Sequence, residues 1–216
     1  DTIRPVDITR RERIRVFDTG NGDTIVDQTD DGGYQFIIKD IDGQECCLLI
    51  ANSNFAKYRC DLNGNVDQRT FGLNNALILC YAFAGSFRNT ILVHASLVRQ
   101  NGWGYAFIAK SGTGKSTHAR LWQQCFPGCL LLNDDNPMLR LHDGQVWAYG
   151  TPWSGKTPCY RSEHYRVQGI VRLAQAPHNR FLPAAEVEAF SLLLPGISVI
   201  GQHERYYQLM ADTLAQ

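Results

Sequence analysis

Residues 109–117, Ala-Lys-Ser-Gly-Thr-Gly-Lys-Ser-Thr, constrain this chain more than any other stretch. They fit the relaxed form of a phosphate-binding loop, with Ala109 where the first glycine usually stands and Gly114-Lys115-Ser116 intact. Gly112 and Gly114 let the backbone turn tightly, so that successive N–H groups converge on one anion. A helix opening at Lys115 adds unpaired N–H donors and its positive dipole end. In that arrangement Lys115 reaches the β- and γ-phosphates of ATP and the Ser116 hydroxyl holds Mg²⁺, while Ser111, Thr113 and Thr117 complete the cradle.

The flanks agree. Residues 104–108 (Gly-Tyr-Ala-Phe-Ile) are an apolar run of strand length directly before the loop. Residues 117–124 have helical composition, and Pro127-Gly128 ends them. Residues 129–132 then read as a buried strand that runs into Asn133-Asp134-Asp135. Strand, loop, helix and strand predict a right-handed βαβ unit whose parallel strands end on one edge. The paired aspartates then emerge beside the loop, at the edge where open α/β sheets bind ligands. The competing reading is a glycine-rich turn before an ordinary helix, with the aspartates as turn residues.

Composition narrows the function. With 216 residues there is room for one large domain or two small ones. Lys plus Arg equal Asp plus Glu at 21 each, so no basic excess points to nucleic acid. No run approaches the roughly 18 apolar residues of a membrane span, and the charged first residues do not resemble a signal peptide. Seven cysteines without a C-x-x-C spacing suggest reduced thiols in a cytoplasmic protein.

From residue 14 to 69 short β-runs (14–17, 34–39, 45–50 and 56–60) alternate with turn dipeptides, which predicts an antiparallel meander over residues 1–70. Asp42-Gly43 and Asn63-Gly64 are both tight-hairpin signals. The apolar run 71–87 predicts a buried helix with Gly72 just inside its start, and a boundary near residue 70 separates the meander from a domain over 71–216. Residues 90–98 form the next strand. Asn101-Gly102 turns it back, pairing Gln100 with Trp103 and setting His94 opposite Ala109. Asp143-Gly144 makes a second hairpin in which Asn136 faces Thr151. The Gly/Pro-rich segment 151–161 therefore starts beside Asp135 and carries two cations, Lys156 and Arg161, which either clamp phosphate or substrate or are ordinary surface charges. Residues 166–173 read as a strand, Pro183 as the first turn of a helix to about 194, and residues 204–214 as a last helix.

In this order and spacing the chain resembles the C-terminal domain of HPr kinase/phosphorylase and its small HPr-kinase-like relatives, which share a phosphate-loop core with phosphoenolpyruvate carboxykinase. The match lies in Val93-His94-Ala95-Ser96, residues 109–116, Leu132-Asn133-Asp134-Asp135 and residues 149–155 (Tyr-Gly-Thr-Pro-Trp-Ser-Gly), and it covers roughly residues 90 to 175. The resemblance implies an α/β fold, α+β overall, with that core in a mixed sheet beside the meander, and a homo-oligomer. It also implies an ATP- and Mg²⁺-dependent kinase acting on a hydroxyl, serine above all, of a protein, peptide or small molecule. Asp134 is favoured as general base and Asp135 as metal ligand with Ser116; His94 contacts an aspartate or the γ-phosphate, or is a satisfied histidine of the sheet. Arg166 reaches the site from a neighbouring strand on resemblance alone. The bifunctional signature Glu-x-Arg-Gly-x-Gly-Ile keeps Arg166, Gly169 and Ile170 but has His164 for its Glu, so phosphorylase activity is not implied. Two other readings stand beside the kinase: a nucleotide-binding sensor without chemistry, and a carboxykinase-like lyase.

Overall fold

A computed structural model of the chain describes residues 3–18, 21–155, 157–197 and 212. The chain divides into two compact units between Phe87 and Arg88, well past residue 70, because the first helix packs with the N-terminal strands.

The first unit is an antiparallel sheet with its strands in sequence order, β1 (Arg11–Asp18), β2 (Asp23–Thr29), β3 (Tyr34–Lys39), β4 (Glu45–Ala51) and β5 (Tyr58–Leu62). Strand β2 was not legible, since Asp-Thr-Ile-Val-Asp-Gln-Thr mixes turn-forming residues into its apolar pair. The structure resolves the conflict at Asp27, which is 1% exposed, bound by the guanidinium groups of Arg11 and Arg13 and by the Gln35 amide at 3.2 Å. A buried carboxylate is tolerable only with such partners. Helix α1 (Val66–Ser86) starts earlier than its apolar run because Asn65 and Gln68 form a capping box. Asn63-Gly64 accordingly leads β5 into this helix and makes no hairpin. Gly72 lies inside the helix, where a Cβ would come within 2.7 Å of the Cys46 carbonyl oxygen, so the absent side chain is what lets α1 rest on β4. The helix is not buried all round: Leu73, Leu77 and Tyr81 are exposed, while Phe83 stacks on Phe55 at 4.8 Å.

The second unit is a mixed sheet that curls. Its strands are β6 (Thr90–Leu92), β7 (Ala95–Gln100), β8 (Trp103–Ile108), β9 (Leu130–Asp135), β10 (Met138–His142), β11 (Gln145–Tyr149) and β12 (His164–Arg172), in the spatial order β6-β10-β11-β12-β8-β7-β9. The expected strand 90–98 is broken at Val93 and His94, and β9 runs into β10 through Asn136 and Pro137. Met138 pairs with Leu92 and Asp135 with Ala95 in one continuous register, so a single antiparallel ribbon supplies both ends of the strand order. Joining the ends of a sheet in this way forces it to curl. Both hairpins have the expected register, Gln100 with Trp103 and Met138 with Tyr149. Asn101-Gly102 and Asp143-Gly144 all have positive φ, as tight hairpin turns that follow the strand twist require.

Helix α2 (Lys115–Cys125) packs Ala119 and Trp122 on Val98, Phe107 and Leu131. Strands β8 and β9 are both antiparallel to β7, which lies between them, so they run parallel and end on one edge. Helix α3 (Glu186–Leu193) starts beyond Pro183, which therefore lies outside its first turn. The helix expected over 204–214 falls on residues outside those described, apart from Asp212. No helix among the described residues is long and apolar enough to cross a membrane.

Candidate functional site

Ile108 ends β8 and the backbone turns at once. Gly112 and Gly114 have φ of 79° and 114°, a region that a side chain would strain, and a Cβ at either would meet nothing within 4 Å. The loop is thus shaped by backbone conformation and open on its outer side. Gly114 caps α2 without a side-chain bond, and the first helical bond runs from His118 N–H to Gly114 O at 2.9 Å. The amides of Lys115, Ser116 and Thr117 precede it at the positive end of the helix dipole, which suits an anion. Ser111, Ser116 and Thr117 are exposed and Thr113 is half-buried.

Lys115 is 8% exposed, and its ammonium donates to the Ala109 carbonyl at 3.2 Å. Burial lowers its pKa, while Asp135 and Asp134 pull the other way. His94, in the break between β6 and β7, feels the same charges. Burial and then Lys115 lower its pKa, against Asp135 and Asp134, so the imidazole is neutral at neutral pH. One lysine, one histidine and two carboxylates therefore act on one another where β8 and β9 end.

The two aspartates have different surroundings. Asp134 is 7% exposed and pairs across the ladder with Ser96, 1% exposed, whose hydroxyl donates to Asp134 Oδ1. Directly opposed residues share a face, and Ser96 shares its face with Val98, which touches α2. Asp134 thus lies on the helix side, and Asp135, opposite Ala95, on the other. A register shift on β9 between Leu131 and Asn133 is what puts Leu131 and Asp134 on one side. Asp135 Oδ2 accepts from the Asn136 amide at 2.8 Å.

The segment after the second hairpin does lie beside the aspartates. Thr151 Oγ1 donates to Asn136 O at 2.7 Å, Ser154 bridges to Asp135, and Gly155 N–H donates to Asp134 O at 3.1 Å. Asn133, buried one residue before the pair, holds this segment: its amide donates to Thr151 Oγ1 at 3.1 Å and to Trp153 O at 2.9 Å. Its sequence signal was an amide closing an apolar run, and sequence reasoning gave it no role. Ser96 was likewise missed; a serine in a strand carries no signal until its partner across the ladder is known.

No family model matches this chain, and no curated protein matches it.

Two expected cations are not brought to the site. Arg161 donates from Nε to Leu131 O at 2.9 Å and pairs with Glu163 at 3.5 Å, three residues short of Asp134 along β9. Arg166 lies over the Trp103 ring at 5.2 Å. Because β12 runs parallel to β8, its start aligns with the start of β8, about 16 Å from the strand end at 3.3 Å per residue. Arg172 instead pairs with Ile108 at the loop end, its Nη1 donating to Leu192 O at 2.7 Å. Gln175 then reaches the loop at Thr113 O, 3.4 Å. Lys156 lies outside the described residues. His118 packs edge-on against Phe107 at 4.6 Å, an ordinary structural histidine. No three His, Cys, Asp or Glu side chains converge as a metal cluster among the described residues, so Ser116 and Asp135 would hold Mg²⁺ only together with ligand oxygens.

The neutral His94 has a measurable consequence. Its pKa is lower folded than unfolded, so between the two values the unfolded chain binds more protons, and stability falls as pH drops below about 6.5. The lowered pKa of His118 acts in the same sense. Thermal unfolding at pH 7.5 and 5.5 is expected to show a smaller acid-side loss in His94→Gln than in the unaltered chain. An equal loss in both would remove the half-buried, neutral His94.

Proposed function

We propose that this chain is an ATP- and Mg²⁺-dependent phosphotransferase of the HPr-kinase-like kind, acting on a hydroxyl, serine above all, of a protein, peptide or small molecule. The observation that carries the reading is the meeting of Lys115, His94, Asp134 and Asp135 beside the start of α2, which no side chain caps. A glycine-shaped loop whose outer side is free, followed by unpaired amides and a lysine, fits a triphosphate and gives the phosphate-binding reading of residues 109–117 its support.

Mg·ATP supplies the transferable phosphoryl group when bound. The chain's own part is positioning and charge, the main needs of phosphoryl transfer. The amides of residues 114–117 and the Lys115 ammonium would hold phosphate oxygens, the Thr113 N–H being bonded to Lys110 O within the loop. Ser116 and Asp135 offer the cation a hydroxyl and a carboxylate. Asp134 takes the proton of the acceptor hydroxyl; Ser96 donates to its Oδ1, which leaves Oδ2 for that proton. The segment 151–155, tied to Asn133, borders the place where the acceptor would lie. Neutral His94 can donate to a phosphate oxygen.

The lyase reading needs cations for a carboxylate substrate, and Arg161 and Arg166 are engaged elsewhere. The test is incubation with Mg·ATP against a peptide library and free serine, with ADP and phosphoester as readouts. Acceptor-dependent ADP formation is expected. Nucleotide binding without transfer to any acceptor would favour the sensor reading, and oxaloacetate-dependent decarboxylation the lyase.

A further inference from the structure

The first unit holds a thiol pair that phosphoryl transfer does not use. Cys47 on β4 pairs with Leu62, and Cys60 on β5 pairs with Leu49, so the cysteines are diagonal neighbours on one face of adjacent strands. Their sulfurs are 3.2 Å apart. A disulfide would need them closer by about 1.2 Å. Strand β5 can supply that movement, since among the described residues it is the outer strand of its sheet, paired only with β4. The pair is also asymmetric: Cys47 is buried, whereas Cys60 is exposed.

This asymmetry gives each sulfur a role. The hydrogen bond between the thiols lowers the Cys60 pKa and raises that of Cys47, which burial raises further. Cys60 is therefore the accessible sulfur that becomes thiolate more readily, with Cys47 as its shielded proton donor. Neighbouring thiols do not compete. Cys80 on α1 is pushed up to about 12, first by burial, and burial also raises Cys46.

We propose that Cys47 and Cys60 are a peroxide-responsive dithiol that closes to a disulfide between β4 and β5. The Cys60 thiolate attacks one peroxide oxygen and breaks the O–O bond, giving a sulfenic acid and releasing hydroxide, which is protonated to water. The Cys47 sulfur then attacks the Cys60 sulfur. Its thiol proton leaves with the sulfenic hydroxyl as a second water. Two thiols and one hydrogen peroxide become one disulfide and two waters; sulfur gives up two electrons and the peroxide oxygens take them. The product fastens the outer strand to its neighbour covalently.

The test uses the full chain, dilute hydrogen peroxide, maleimide blocking and peptide mapping. The expected product is lighter than the reduced chain by two hydrogens, carries one bridge between the peptides of residues 47 and 60, and reverts with dithiothreitol. Cys125, also exposed, is the internal comparison: iodoacetamide at neutral pH should label Cys60 first. In Cys47→Ser, oxidation should stop at a sulfenic acid on Cys60 that dimedone traps. An unchanged mass, a bridge through Cys46 or Cys80, or labelling of Cys60 no faster than Cys125 would overturn the proposal. The map of the unaltered chain decides the matter even where a variant does not fold, and it is independent of any nucleotide chemistry.

Discussion

Replacing Lys115 with alanine is expected to abolish stabilisation of the protein by Mg·ATP while leaving the ligand-free chain folded. A ligand at 100 times its Kd adds about 2.7 kcal/mol. At about 2–4 °C per kcal/mol for a domain of this size, that raises Tm by roughly 5–11 °C. Lys115 enters the folded state at a cost: the residue is buried, its ammonium donates to the Ala109 carbonyl, and burial lowers its pKa. Removing it takes away a desolvated charge and, among the described residues, no ion pair, so the ligand-free Tm should stay within about 2 °C, as for a substitution without a destabilising mechanism. Lys115→Met, which retains most of the apolar stem, should behave the same way toward nucleotide. Differential scanning fluorimetry with and without millimolar Mg·ATP reads both effects. A full shift retained in either variant would end the phosphate-binding reading of residues 109–117.

The parts of this arrangement that the sequence disclosed are those governed by neighbours along the chain. Asn101-Gly102 and Asp143-Gly144 require a two-residue turn, and a turn of that length leaves one register. That is why Thr151 could be set beside Asn136 before any coordinates. The glycine spacing of residues 109–117 likewise dictates backbone conformation locally. Other parts depend on partners far away in sequence. Asp27 reads as a turn residue until Arg11, Arg13 and Gln35 surround it, so β2 was invisible. Strict alternation along β9 would have put Asp135 on the side of Leu131; the register shift gives that side to Asp134. Arg166 was set at the site on resemblance alone, and it meets β8 at the far end from the loop. The parallel pairing, which no residue of β12 announces, puts Arg172 at the loop end instead. The start of α1 was missed for a different reason. Its first turn is polar, and the box of Asn65 and Gln68 sets it, while the apolar run begins later.

The face assignment sharpens what Asp134→Asn should do. Asp134 lies on the α2 side with Ser96 donating to Oδ1, and an asparagine placed there still presents Oδ1 as an acceptor. The fold should therefore be retained, with the bond from Gly155 N–H to the residue 134 carbonyl untouched because it involves only backbone. Nucleotide affinity should hold nearly unchanged, since the loop amides and Lys115 carry it without this carboxylate. Transfer to the acceptor should drop by about 10²–10⁴, the usual effect of losing a positioned proton acceptor. Asp135→Asn is the necessary companion. On the opposite face and bonded to Asn136, it should weaken Mg²⁺-dependent binding first and slow transfer through that loss. Titrating nucleotide by calorimetry and measuring single-turnover transfer separates the two variants. If Asp134→Asn loses Mg·ATP binding, the roles exchange, and Asp135 becomes the base. Transfer undiminished in both variants would leave the carboxylates no part in the chemistry, and the chain would then be a nucleotide-binding module whose aspartate pair at the end of β9 serves the fold alone.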